Sequence, residues 1–448
     1  MAVAISLSVV VAPLAHADDT TPGSFNAVQP ARVLDTRSGV GSPKLAVAAG
    51  ATLTFTATAG ISDPIGAVAM EVTAVNPKNA GYLTVFAAGA TRPTASNLNF
   101  LPGQTVPNLV VTPTSSAGKV SVYNGSKGTV DVLADLHGFF VGGANTAVEG
   151  TYVPMAAHRV LDTRIGLGAA KKPAGPDSTT VIKVAGTAGI PAAASAVVVN
   201  VTAVASQTVG YVTVFPGSPT PDSSTLNYEK GKTRANLGLI EVNPTDGTLS
   251  LFNGSHGSTD LVADVTGYFV GGTPATDGTF IASTPYRPFD SRVTGGRPAG
   301  ALSTSRIRIF PLDPVTGLPD PTFSVFKAVV VNVTVSQPEA AGFLTTWDGL
   351  AKQPAVSNSN FVPGQNAAGS VVVPVNPDGT ISIYNGSFGN TDLVVDVTGF
   401  FLNFPTIQPN VAKAGSPSTA LRIASALSKM RQFAQHPAST PVSVTTTR

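Results

Sequence analysis

The 448-residue chain contains no cysteine, one tryptophan and only five glutamates. Without cysteine there is no disulfide framework, so the fold rests on the packing of its own cores. The glutamates stand at 71, 149, 229, 241 and 339 and form no recurring pair, which excludes a conserved-spacing glycosidase dyad of that type. Charged residues make up only 12%, and a formal net charge of +2 with no basic, aromatic-interleaved patch argues against a nucleic-acid partner. H-E-x-x-H, G-x-S-x-G, a phosphate loop and a dinucleotide fingerprint are all missing, so no cofactor is expected.

What is abundant is Val, Thr, Ala, Ser and Gly, with 43% hydrophobic residues overall. That composition suits short, half-buried strands. The opening "MAVAISLSVVVAPLAHADD" reads as a secretory signal over residues 1–17, with an A-x-A cleavage site ending at Ala17, although no Lys or Arg precedes its apolar core. A buried N-terminal strand is the competing reading. No later apolar run approaches the roughly 20 residues of a membrane helix, so no transmembrane segment is expected. The expected location is secreted or cell-surface.

Internal repetition is the strongest signal. "ARVLDTRSGVG", "HRVLDTRIGLG" and "YRPFDSRVTGG" place Arg32, Arg159 and Arg287 at spacings of 127 and 128 residues. Each copy continues with an alternating segment, from Ala67, Ala196 and Ala328, and closes on an Asn-Gly-Ser tip followed by a last strand. The period fits a whole domain and not a solenoid unit. The expectation is all-β: three tandem β-sandwich-like domains of about 125 residues, each with a complete strand set and able to fold alone. A barrel per copy is the alternative. The boundaries are 18–143, 148–272 and 277–403, joined by short Gly-rich hinges and followed by a basic tail, 404–448. Within the tail, Ser418 to Ala434 fits one short helix, with Leu421, Ala424, Leu427, Met430 and Ala434 along one side; a frayed tail fits as well.

The stretch "NGSHGSTDLVADVTGYF" gathers Ser255, His256 and Asp260, the ingredients of a hydrolytic triad. The other copies act as controls. Ser126 and Ser387 match Ser255, but Lys127 and Phe388 replace His256, and neither can act as the same general base. Asn124-Gly125, Asn253-Gly254 and Asn385-Gly386 read instead as hairpin tips, with glycine supplying positive φ. In the following strand, alternation puts Leu261, Ala263, Val265 and Phe269 on one side, and Asp260, Val262, Asp264, Thr266 and Tyr268 on the other.

Charges recur in register. Arg32, Asp35 and Arg37 repeat as Arg159, Asp162 and Arg164, and as Arg287, Asp290 and Arg292. The last strands repeat Asp131 and Asp135 as Asp260 and Asp264, and as Asp392 and Asp396. Paired aspartates give too few oxygens for a hard cation, so no metal is expected. A framework charge network, with an arginine pairing to Asp135, Asp264 or Asp396, is favoured over recognition of an acidic ligand.

The "RVLDTR" start and "DVTGYF" end resemble repeat modules of secreted actinobacterial proteins, which also occur beside extracellular hydrolase domains. The resemblance spans Asn26 to Asn403, and copy three departs from it with "RPFDSR". It implies an extracellular accessory or surface role and brings no catalytic residues. The expected function is therefore a secreted, non-catalytic surface or glycan-binding repeat protein, with cell-wall or extracellular polysaccharide as its expected partner. The alternatives are a self-assembling cell-surface or filament protein and, more weakly, an extracellular hydrolase. Ligand contact is expected at the tips, through Lys127, His256 and Phe388, with Tyr82, Tyr211 and Phe343 next, although a core role suits those three better.

Overall fold

In the computed structural model, residues 23–58, 60–61, 63, 65–141, 150–271, 277–293, 299–313 and 315–403 are described, together with 421, 422, 424–426, 428 and 429. The expected signal segment, both hinges and most of the tail lie outside them. Copy 1 holds β1 (Ser24–Asp35), β2 (Thr52–Thr56), β3 (Ile65–Val75), β4 (Gly81–Ala87), β5 (Leu98–Phe100), β6 (Thr105–Pro113), β7 (Lys119–Asn124) and β8 (Asp131–Val141). Copy 2 repeats them as β9 (Thr151–Asp162), β10 (Ser178–Lys183), β11 (Ala194–Val204), β12 (Gly210–Phe215), β13 (Leu226–Tyr228), β14 (Arg234–Glu241), β15 (Thr248–Gly254) and β16 (Asp260–Val270). Copy 3 comprises β17 (Phe280–Asp290), β18 (Ser303–Arg308), β19 (Phe326–Ser336), β20 (Gly342–Trp347), β21 (Ser359–Phe361), β22 (Ala367–Pro374), β23 (Thr380–Asn385) and β24 (Asp392–Leu402).

Each copy splits its strands into two antiparallel four-stranded sheets. In copy 1 their orders are β1-β8-β3-β6 and β2-β7-β4-β5, and the other copies follow the same pattern. The fold is thus all-β, but the arrangement corrects the expectation of three sandwiches in a row. The six sheets form a propeller-like ring around a shared centre. Three apolar clusters each draw on both sheets of one copy, and a fourth draws on all three copies.

The inner sheets explain why their strands carry apolar residues on both faces. In β3, Val68, Met70, Val72 and Ala74 pack into the core of copy 1, while Ala67 and Ala69 turn to the common axis. Runs such as "AVVVNVTAV" are therefore strands buried on both faces. In the outer sheet of copy 1 the edge strand β2 alternates between exposed and covered residues, while β4 and β7 are mostly buried.

A bulge fixes the axis. Between Leu136 and Gly138 the register of β8 against β3 slips by one residue, leaving His137 extra; Thr266 and Thr398 are the extra residues in the other copies. One inserted residue reverses the phase of everything after it. Simple alternation therefore misplaces the strand ends: Phe269 leaves the side of Leu261 and joins the axial cluster, whereas Tyr268 packs toward the core of copy 2. In copies 1 and 3, Phe139 and Phe400 enter their own cores while Phe140 and Phe401 reach the axis.

Six rings close this end. Each copy adds one from its first strand, Phe25, Tyr152 or Phe280, to its own Phe140, Phe269 or Phe401. The contacts between copies have centroid distances of 4.5 Å (Phe25–Phe269), 4.3 Å (Tyr152–Phe401) and 4.2 Å (Phe280–Phe140). Backbone bonds run the same way round: Phe25 N–H donates to Gly150 O, Tyr152 to Gly278 O and Phe280 to Gly23 O. All three glycines are required by proximity: a Cβ on Gly150 or Gly278 would strike the carbonyl of Phe25 or Tyr152 in the neighbouring copy, and one on Gly23 would strike the Val141 carbonyl of its own copy. "GSF", "GTY" and "GTF" at 23, 150 and 278 are thus a repeated motif of the ring closure.

The tail contributes helical residues within 421–429. Ala426 is buried in the core of copy 3, whereas Leu421 and Ala424 face solvent, so the apolar side is not the expected stripe. Leu427, Met430 and Ala434 lie outside the described residues. Lys429 Nζ donates to Asp320 Oδ2 at 2.5 Å, beside a 3-10 turn at Pro321–Val325.

Burying each axial ring contributes roughly 2 kcal/mol, and a copy produced alone would leave those rings and the adjacent Ala, Val and Leu side chains uncovered. Residues 150–271 expressed by themselves should therefore associate, with a trimer as the expected species in sedimentation analysis. A stable monomer that unfolds cooperatively would show that the shared core is dispensable.

Candidate functional site

The repeated charges form one unit per copy. Arg32 Nε and Nη2 donate to the two carboxylate oxygens of Asp135 at 2.5 and 3.3 Å, and Nη1 reaches Asp35 at 3.1 Å. Arg159 binds Asp264 at 2.9 and 3.2 Å and Asp162 at 3.2 Å; Arg287 binds Asp396 at 2.8 and 3.1 Å and Asp290 at 3.2 Å. Arg37, Arg164 and Arg292 each clamp the neighbouring Asp35, Asp162 or Asp290 from the outside. Asp131, Asp260 and Asp392 do not join the arginines. They accept from Thr36, Thr163 and Ser291, whose hydroxyl oxygens in turn accept the N–H of the last strand.

Each inner arginine has one further bond, and it crosses to the next copy. Nη2 of Arg32 donates to Asp222 O, that of Arg159 to Ala355 O and that of Arg287 to Thr94 O, at 2.7, 2.8 and 3.1 Å. These carbonyls occupy equivalent positions, four residues before β13, β21 and β5. The network therefore fastens copy 1 to 2, 2 to 3, and 3 back to 1. Its electrostatics follow its burial. The Arg37 fork holds the Asp35 carboxyl down at about 2, whereas burial lifts Asp135 to about 6 despite Arg32.

Copy 1 differs at this seam. Where β11 and β19 carry Asn200 and Asn332, β3 carries Glu71. Asn200 Nδ2 and Asn332 Nδ2 donate to Ser357 O and Ser96 O of the next copy. Glu71 Oε1 instead accepts from Asn236 Nδ2 of copy 2 at 2.7 Å, and its buried Oε2 has no partner. Burial pushes its carboxyl well above the usual range, with nearby Asp135 adding to the shift. His137, the bulge residue of β8, is buried and held down at about 4 by desolvation. Copy 3 differs too. Gly369 stands where Asn108 and Asn236 donate across the seam, and Asn200 Oδ1 is left buried without a donor.

The tips are not hairpins. β7 and β8 belong to different sheets, so Asn124-Gly125-Ser126 crosses between them. Nor do Gly125, Gly254 and Gly386 adopt positive φ. They are glycine because the rings of Tyr82, Tyr211 and Phe343 lie on them, where a Cβ would collide. Asn124 is buried, and its Nδ2 is held by the carbonyls of Val47, Ala48 and Gly128; Asn253 and Asn385 repeat this bracket.

Ser255, His256 and Asp260 are not assembled. Ser255 Oγ is buried and bonded to Gly257 O and Asn253 Oδ1, His256 points to solvent with Asp177 at 3.7 Å, and Asp260 holds Thr163. Lys127, His256 and Phe388 each stand exposed on a separate copy; Phe388 is 85% exposed. At the end of the axis opposite the aromatic rings lies a cavity of about 620 Å³ lined by all three copies. The signal for it was the divergence of "FLPGQTV", "YEKGKTR" and "FVPGQNA" between equivalent strands. Among the described residues no three His, Asp or Glu side chains gather as a metal set, and no helix is long and apolar enough to cross a membrane.

No family model matches the chain, and no curated protein matches it. Among solved structures it is similar, at 9% identity, to the major capsid protein P2 from bacteriophage PM2, over 56% of this chain and 98% of that chain, with a TM-score of 0.16. A chain from the triple jelly roll fold and turret assembly of an archaeal virus is 9% identical, over 85% and 90%, with a TM-score of 0.17. The N-terminal CBM22-1-CBM22-2 tandem domain from Paenibacillus barcinonensis Xyn10C is also 9% identical, over 84% and 100%, with a TM-score of 0.17. At these TM-scores the likenesses carry no argument about this chain.

Two substitutions test the seam. Asp264→Asn strips Arg159 of its charged partner in a buried setting and should destabilise the protein by about 3 kcal/mol in denaturant titration. Unchanged stability would remove the network from the framework. Glu71 binds its proton more tightly folded than unfolded, so it lowers stability as pH rises above its unfolded value near 4.5. Glu71→Gln should therefore flatten that decline and melt higher than the parent at pH 7, and parallel pH profiles would contradict it.

Proposed function

We propose that the protein is an exported, non-catalytic binding protein that attaches to cell-wall or extracellular polysaccharide through its three tips. The observation that carries this reading is Phe388, a large apolar side chain 85% exposed on a turn with no slack. Asn385 and Ser387 clamp the backbone on either side of it, so the ring is presented in place and not on a floppy loop. A flat aromatic ring suits the apolar face of a sugar, and Lys127 at the equivalent tip suits an acidic stretch of polymer. Three weak contacts on one closed frame reinforce one another when the polymer spans them. The resemblance to secreted actinobacterial modules supports the same location, and the dispersal of Ser255, His256 and Asp260 speaks against a hydrolase.

Self-assembly at the cell surface is the second reading. It draws on Leu312, Val315 and Leu318, apolar side chains exposed together on the loop after β18 of copy 3. Co-sedimentation of the whole chain with insoluble cell-wall polysaccharide separates the two, since assembly would pellet protein without polysaccharide. Replacing Lys127, His256 and Phe388 together by Ala should abolish retention while leaving the melting temperature in place. A folded triple variant retained like the parent would reduce the tips to turns.

A further inference from the structure

The cavity on the axis is built by three copies, yet it is not threefold. Asn99, Asn227 and Asn360 occupy one equivalent position each and all line it. Asn99 Oδ1 accepts from Ser96 Oγ and Asn227 Oδ1 from Ser224 Oγ, whereas the Oδ1 of Asn360 is buried without a donor among the described residues. Around them the copies diverge. Leu101 and Val106 of copy 1 correspond to Val362 and Ala367 of copy 3, but to Glu229 and Arg234 of copy 2. Copy 2 thus places one carboxylate and one guanidinium where its siblings are apolar, and Lys230 and Lys232 stand exposed on the same turn.

These side chains are linked across all three copies. Gln365 Nε2 donates to Gln104 Oε1 at 3.1 Å, and Gln104 Nε2 donates to Glu229 Oε1 at 3.4 Å. Arg234 Nη2 approaches the same oxygen at only 3.5 Å. One oxygen of Glu229 therefore serves two weak contacts, and among the described residues the Arg234 guanidinium has no closer acceptor. Tyr211, lying with one face on Gly254, completes the wall. At about 620 Å³ the space falls within the ordinary range for a small ligand.

We infer that this cavity is a second binding site, distinct from the tips, for an acidic saccharide whose carboxylate pairs with Arg234. Amides on three sides meet sugar hydroxyls as donors and acceptors, and Glu229 accepts from another hydroxyl. A guanidinium fork matches a carboxylate in geometry as well as charge, while Lys230 and Lys232, exposed on the turn that carries Glu229, add positive charge nearby. The site does not depend on the tip reading, because none of Lys127, His256 and Phe388 lines it.

Calorimetric titration of the full chain with a trisaccharide of galacturonic acid tests this, with a neutral trisaccharide of glucose as the control. The acidic ligand should bind at least tenfold more tightly than the neutral one, and added salt should weaken it. The double variant Glu229→Leu, Arg234→Val installs the residues of copy 1 and copy 1-like packing, and should lose tenfold or more in affinity. Arg234→Lys keeps the charge without the fork; it should also weaken binding and covers the case in which the double variant fails to fold. Phe388→Ala should change nothing here, so the two sites succeed or fail separately. No binding of the acidic trisaccharide, equal binding of the neutral one, or unaltered affinity in a folded Arg234 variant would overturn the proposal.

Discussion

Everything in this protein depends on how closely three chain segments approach one axis. Gly23, Gly150 and Gly278 share backbone hydrogen bonds between successive copies, and at Gly150 and Gly278 the neighbouring copy lies too close for any side chain. That approach brings the aromatic rings of neighbouring copies nearer to each other than to most partners within a copy. It also sets the first strand of each copy, with its inner arginine, against the next copy. The charge clasp, the seam amides and the axial cavity are all consequences of that closure. Dispersion and apolar burial supply the attraction, while the polar groups decide the register.

The clasp shows why scarce charge can be so regularly placed. An arginine shared by two aspartates and a carbonyl from the neighbouring copy has its donors engaged in directions fixed by planar geometry. Such a unit adds little net attraction once desolvation is counted, yet a misaligned copy would leave a carboxylate such as Asp264 buried and unpaired. The arrangement penalises wrong docking more than it rewards correct docking. Glu71 and Gly369 mark where this regularity has lapsed, one by adding a buried carboxyl and the other by removing a donor.

Much of the β architecture was legible in the sequence, because the three copies calibrate one another. Period, strand content and the partnership of recurring arginines with recurring aspartates all follow from residues that repeat in register. The ring did not follow from alternation. Strands buried on both faces carry no polar side to reveal which way they turn, and the bulge at His137, Thr266 and Thr398 reverses the phase without changing the residue types. The "GSF", "GTY" and "GTF" triplets were the missed clue, since a glycine repeated before an aromatic signals close approach. The tips were misread for a related reason. Asn-Gly usually reports backbone conformation, whereas here it reports a buried bracket and a ring lying overhead. Part of the cavity was also visible, as divergence between copies, but only the closed ring brings those three strands together.

The single chain has one consequence for the axis that a complex of identical subunits could not share. In a homotrimer, any substitution near the symmetry axis is made three times, so an arginine at the position of Arg234 would bring three like charges into one small volume. Joining the copies covalently lifts that restriction. Copy 2 can carry the charge while copies 1 and 3 stay apolar, and an asymmetric molecule can be received at the centre of an almost symmetric host. Duplication followed by fusion would thus turn the least adaptable point of a symmetric assembly into one where each side can change independently.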